Sequence, residues 1–173
     1  MNIFIILSAV FFMLSDNVSG AQRTIPERTI SYDEILTSFD AIKQKAGDKY
    51  SQTPARAQID IKNMYDTTIY VLNLGKHSIK QIISTDKLAN VQILMNQILA
   101  TIDGNTAFKN TLPKLHTELM GLYEKSYAER IGSLKENASV RDIVLFFFDI
   151  HKTVARTIAN QWGFDVRIAL LPN

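Results

Sequence analysis

The sequence predicts an all-α protein, an antiparallel bundle of about five helices with no disulfides, within a chain of 173 residues. Three observations predict it. Apolar residues recur every three or four positions through most of the chain, the period of one helix face. Helix-start signatures stand ahead of those runs, two of them reciprocal capping boxes. There is no cysteine, so packing alone must hold the fold, and past the leader no segment makes a convincing strand.

The elements follow in order. MNIFIILSAVFFMLS is apolar for about a dozen residues, and the small, polar Asp16–Ala21 closes it. Residues 1–21 therefore read as a secretory signal peptide, too short to span a bilayer, with a cut after Gly20 or Ala21. Its first residues lack Lys and Arg, which leaves a retained N-terminal anchor as the competing explanation. Removal leaves roughly 150 residues, enough for one self-sufficient core. Without Asp16, 19 basic and 16 acidic side chains remain, a net charge of about +3, mixed along the chain. That pattern argues against nucleic acid as a partner and against a strongly cationic membrane-lytic protein. The mature chain has no expected transmembrane segment.

Residues 22–30 (QRTIPERTI) read as an extended arm. Ser31 and Glu34 form a capping box, and Ile30 and Ile35 can staple it. Ile35, Phe39, Ile42 and Ala46 follow at helical spacing, and Gly47 is expected to end the first helix. Thr53-Pro54 opens the second, with Thr53 as cap and proline at the first helical position. Ile61, Met64, Tyr65, Thr68, Leu72, Gly75, Ile79, Ile82 and Ile83 then keep helical spacing for six turns. Gly75 on that face signals a close helix–helix contact, with a local break or a ligand contact as alternatives. Thr85-Asp86 is expected to open the third helix, with Leu88, Val91, Met95, Ile98 and Ile102 inward. Asp103-Gly104-Asn105 stops it. The fourth is expected from near Thr106 to Leu134, with Phe108, Leu112, Leu115, Leu119, Leu122 and Ile131 inward. Pro113 either kinks it or marks its true start, with Thr111 as cap. Ser139 and Asp142 form the second capping box and open the fifth helix, for which Gly163 suits the C-terminal cap. The bundle therefore occupies residues 31–163, and the tail 164–173 remains unassigned.

The fifth helix carries the most informative stretch, VLFFFDIH at 144–151. At about 100° per residue, Ile143, Phe147, Ile150, Val154 and Ile158 share one face, with Val144, Phe148, Ala155 and Trp162 beside them. Asp149, Lys152, Thr153, Arg156 and Asn160 gather opposite. The apolar arc exceeds half the circumference, whereas a surface helix needs only about 100°. Several neighbours must bury this helix, or something apolar must fill a space beside it.

The sequence holds little catalytic chemistry. His77, His116 and His151 form no HExxH or HxH pattern, and no GxSxG, phosphate loop or dinucleotide fingerprint occurs. Asp149 and His151 diverge by about 200° around a helix, so they are not a preformed acid–base pair. No enzyme activity, metal or cofactor is expected. Asn137-Ala138-Ser139 is an N-glycosylation sequon in an expected loop.

Three functions fit a secreted, cysteine-free bundle with one over-hydrophobic helix: a binder of apolar molecules or hydrophobic surfaces, a protein-interaction module or effector acting outside the cell, and a structural or coat protein. Burial at about 25 cal/mol per Å² would let a fatty acyl chain bind with no strongly specific polar group. The lining expected for that first reading is Leu72, Ile79, Ile98, Leu115, Leu119, Phe147, Ile150 and Val154, with Lys76 or His151 at an edge to meet a carboxylate. Ordinary core packing is the competing explanation for each.

The order of parts resembles the fungal hydrophobic-surface-binding and cell-wall mannoprotein family. The resemblance rests on the leader, the absence of cysteine, a short helix, and a long helix ending in GKHSIKQIISTDKL. LPKLHTELMGLYEKSYAERIGSL and a last helix with histidine and aromatics complete it. It covers roughly Ile30–Trp162 and has no short diagnostic motif, and this chain is richer in Ile, Tyr and Lys than that family. The resemblance implies a helical bundle that binds lipids or hydrophobic surfaces.

Overall fold

The computed structural model describes residues 29–85 and 90–166. The expected signal peptide, most of the arm, Asp86, Leu88 and the last seven residues lie outside the described residues. Among those described are six helices and no strand: α1 Tyr32–Gln52, α2 Ala55–Thr85, α3 Val91–Asp103, α4 Thr106–Thr111, α5 Pro113–Ile131 and α6 Val140–Asn160. The all-α fold is thus as expected, with five long helices and one of six residues.

The two capping boxes form as read. Ser31 Oγ accepts from Glu34 N while the Glu34 carboxylate accepts from Ser31 N, and Ser139 and Asp142 repeat the exchange. Several boundaries differ from expectation. α1 runs through Gly47 to Gln52. A mid-helix glycine costs only about 1 kcal/mol, and the Tyr50 ring beyond it stacks on Tyr65 at 4.2 Å. Thr53 serves the end of α1 rather than the start of α2: its hydroxyl donates to Lys49 O at 2.9 Å. Thr85 is the last residue of α2, and α3 starts later, where Asn90 Oδ1 accepts from Ile93 N at 3.1 Å. Pro113 marks the true start of the main part of the expected fourth helix, one of its two expected roles, but without Thr111 as cap. Leu112, preceding proline, is driven out of the helical region (φ −132°, ψ 60°), so α4 ends at Thr111 and Pro113 begins α5 with no side-chain cap. α5 then stops at Ile131, short of Leu134.

Packing is antiparallel between chain neighbours. Phe39 meets Gly75 and Tyr50 meets Tyr65, so α1 and α2 run in opposite directions. Ser78 meets His151 and Thr68 meets Trp162, which sets α6 antiparallel to α2. Tyr127 meets Phe146 and Glu118 meets Gln161, so α5 is also antiparallel to α6. The most extensive helix pair is α2 with α6, followed by α1 with α2 and α5 with α6. α2 and α6 are therefore the central pair, and α6 is the more deeply buried of the two. Eleven of its 21 residues are buried, including all three phenylalanines of VLFFFDIH.

At the crossing of α1, α2 and α6, a Cβ on Gly75 would stand 2.7 Å from Phe39 Cε1 and 3.0 Å from His151 Cβ. Only glycine lets the three helices approach so closely, which is the helix–helix contact the sequence suggested. At the far end of α6, Gly163 takes φ +79° while Phe164 N donates to Ala159 O and Gly163 N to Asn160 O. This Schellman turn folds the chain back, so that Phe164 and Val166, placed in the tail by sequence, pack into the core.

Candidate functional site

His151 lies at the centre of the bundle with no solvent exposure. Tyr123 of α5 places its hydroxyl 2.7 Å from Nδ1, and Ser78 of α2 places Oγ 2.8 Å from Nε2. Three groups in series from three helices look like the nucleophile, base and orienting group of a hydrolase. Counting protons gives the opposite polarity. The buried Tyr123 hydroxyl has no other hydrogen-bond partner among the described residues, so it donates to Nδ1. The ring proton then sits on Nε2 and is donated to Ser78 Oγ. Ser78 in turn donates to the Leu74 carbonyl at 2.9 Å, the usual back-bond of a mid-helix serine. Every proton finds an acceptor in this direction, whereas reversal would leave the tyrosine proton buried and unbonded. Nε2 is thus a donor and cannot take a proton from Ser78. Burial pulls the His151 pKa down from 6.5 to about 3 and pushes that of Tyr123 well up, so both are neutral.

The residues singled out for an apolar site separate into distinct places. Leu72, Ile79, Phe147, Ile150 and Val154 are fully buried where α2 and α6 pack, and Leu119 is equally buried on α5. Ile98 and Leu115 are almost as buried. Lys76 turns toward α1, where Asp40 takes its ammonium and Lys43 binds the same carboxylate at 3.0 Å. Lys76 and Lys43 together hold Asp40 below the usual carboxylate range. Neither Lys76 nor His151 stands at the edge of an apolar space. Of all these residues only Ile98 lines one of the three cavities described. Asn137 lies exposed in the turn between α5 and α6.

The largest of those cavities is a groove of about 750 Å³ between the last turns of α2 and the outer flank of α3. It exists because α3 is held mainly by α5 and makes few contacts with α2. Ile82, Ile93, Leu94 and Ala100 supply its apolar surface, and Gln81, Ser84, Asn90 and Gln97 its polar rim. Ile93 is 55% exposed there, an unusual position for a large apolar side chain. A smaller space of about 100 Å³ shares Gln81, Ile82, Leu94, Gln97 and Thr101 with the groove and continues inward to Leu74 and Ser78. It is the inner recess of the same groove. No Asp, Glu, Lys or Arg lines either part. A third cavity of about 310 Å³, near the α5–α6 turn, is crossed by the Arg130–Asp149 ion pair at 2.8 Å.

Sequence reasoning passed over the groove because it followed the dominant stripe of each helix. A signal was present: Ile93 falls nearly opposite the Val91, Met95, Ile98, Ile102 stripe, so α3 is apolar on more than one side. Among the described residues no group of acidic or histidine side chains could hold a metal, and no helix is long and apolar enough to cross a membrane. Comparison with family models, curated proteins and solved structures finds no match to this chain.

Proposed function

We propose that this is an exported helical-bundle protein that binds an apolar ligand, and that the ligand occupies the α2–α3 groove rather than the centre of the bundle. The observation that carries the reading is the groove itself: about 750 Å³, with Ile82, Ile93, Leu94 and Ala100 set among six polar residues and no charged side chain. Its size lies within the roughly 300–1,000 Å³ usual for small-molecule sites. The packed centre argues for moving the site outward, since a ligand there would have to displace Phe147 and its neighbours. The leader-like first segment and the layout resemblance to hydrophobic-surface-binding proteins agree with export and with an apolar partner. Exposed Ile93 also favours a second reading, in which the flank of α3 docks on another protein.

The test is titration with a fluorescent sixteen-carbon acyl probe against the wild type and Ala100→Trp. Ala100 is exposed and lines the groove, so an indole there fills the space while the core stays intact. The expected result is probe binding that Ala100→Trp abolishes without changing the circular dichroism. Equal binding by both forms, or none by either, overturns the groove as a ligand site and leaves the protein-docking reading.

A further inference from the structure

Resting on the export proposed above and not on the groove, we infer that Asn137 carries an N-linked oligosaccharide, attached before α6 caps and docks. Asn137-Ala138-Ser139 is the only Asn-x-Ser/Thr tripeptide beyond the leader. The fold divides it into an open part and a closed part. Asn137 is exposed in the turn between α5 and α6. The two residues after it are held. The Ala138 amide donates to Lys135 O at 3.1 Å, and its methyl is buried in the core. Ser139 caps α6: Oγ donates its only proton to Asp142 Oδ2 at 2.7 Å and accepts from Asp142 N at 3.1 Å. Its backbone N–H goes to the same carboxylate at 2.8 Å.

The tripeptide pattern requires a hydroxyl two positions past the asparagine, so a transferase has to reach Ser139 Oγ as well as the amide. In the folded protein that hydroxyl is engaged. Drawing the tripeptide into an enzyme's cleft would unwind the first turn of α6 and pull Ala138 out of the core. Transfer therefore belongs to the interval before the cap closes. Chain order provides that interval, since the tripeptide leaves the ribosome ahead of the 21 residues of α6. The donor is an oligosaccharide carried on a lipid pyrophosphate. Asn137 Nδ2 bonds to its anomeric carbon, and the bond from that carbon to the pyrophosphate oxygen breaks. The lipid pyrophosphate leaves with the electron pair, and the amide gives one proton to a base of the transferase. The sugar then stands on an exposed residue, and the cap can form beside it.

The experiment is secretion of the full chain from a eukaryotic host, with intact mass read before and after peptide N-glycosidase. Wild type is compared with Asn137→Gln and Ser139→Asn. Asparagine caps a helix about as well as serine, so Ser139→Asn removes the acceptor pattern while α6 stays capped. Wild type should carry a single sugar chain that the glycosidase removes. Both variants should be secreted without it and should melt with the glycosidase-treated wild type. Secreted wild type bearing no sugar overturns the site. A chain that stays in the cytosol overturns export, and the site with it. Timing is read separately, by offering unglycosylated full chain made in bacteria to solubilised transferase and lipid-linked oligosaccharide. Folded wild type is compared with Gly75→Trp, whose side chain cannot fit the crossing that seats α6. The unseated chain should take the sugar at least roughly tenfold faster than the folded one, which reacts only through local opening. Equal rates overturn attachment before folding while the site stands.

Discussion

The two flanks of α2 show what decides whether an apolar surface becomes core or cleft. Toward α6, Gly75 removes a side chain at the crossing, the helices close up, and Leu72 and Ile79 disappear from solvent. Toward α3, the facing residues are Gln81, Ser84, Asn90 and Gln97, whose amides and hydroxyls remain hydrated at little cost. Leu94 and Ile82 are too few to draw the helices together against those groups. The seam and the groove flank the same helix, and composition at the contact separates them.

The sharpest way to break that contrast is to hollow out the seam. Phe147→Ala removes a fully buried ring and should cost about 3–5 kcal/mol, read as a fall in the urea midpoint. If the variant stays as stable as wild type and gains affinity for the acyl probe, the centre is a ligand cavity after all and the contrast is lost.

Acid acts on the same seam through His151. Folded His151 takes up its proton only near pH 3, whereas an unfolded histidine does so near 6.5. Between those values the unfolded chain binds the extra proton, so stability is full above about 6.5 and is lost as pH falls toward 3. The slope approaches about 1.4 kcal/mol per pH unit. Asp40 and Asp142, held low by Lys76 and by the Ser139 cap, add losses only below about 3.8. His151→Gln should flatten the slope between pH 6.5 and 4 in denaturant titrations. A slope in that window that survives the substitution assigns it to another group.

Tyr123→Phe should cost about 1–3 kcal/mol, because Nδ1 is left buried without its donor. A neutral outcome in thermal melts would mean that the hydroxyl adds nothing net to stability and that Nδ1 finds another partner in the variant. Lys76→Ala should cost no more than about 1 kcal/mol, since its ion pair with Asp40 is partly exposed. It should also leave probe affinity unchanged, in contrast to the carboxylate-binding role its position first suggested.

The fold was largely legible because both of its determinants are local. Capping boxes at Ser31 and Ser139 need only residues three apart, and the broad apolar arc of α6 needs only its own sequence. The end of α1 was misplaced at Gly47 because Tyr65, distant in sequence, stacks on Tyr50 beyond it, whereas Thr53 and Thr85 bond back into the helices before them, a choice that spacing leaves open. The site was legible only in part. Leu72, Ile79, Phe147 and Ile150 were rightly grouped as one apolar surface, but spacing cannot say whether that surface faces a neighbour or a space. The direction of the His151 relay was wholly hidden, since Tyr123, Ser78 and Leu74 come together only when three helices do.

The most deeply buried long helix of this molecule, α6, follows every helix it packs against in the chain. Until residues up to about 160 have emerged, α2 can close chiefly on α1, and α5 on α3 and α4, so the most extensive seam forms last. The growing chain therefore keeps the α6-facing sides of α2 and α5 bare until α6 arrives. Truncated products should be a substrate for chaperones and proteases rather than partly working proteins.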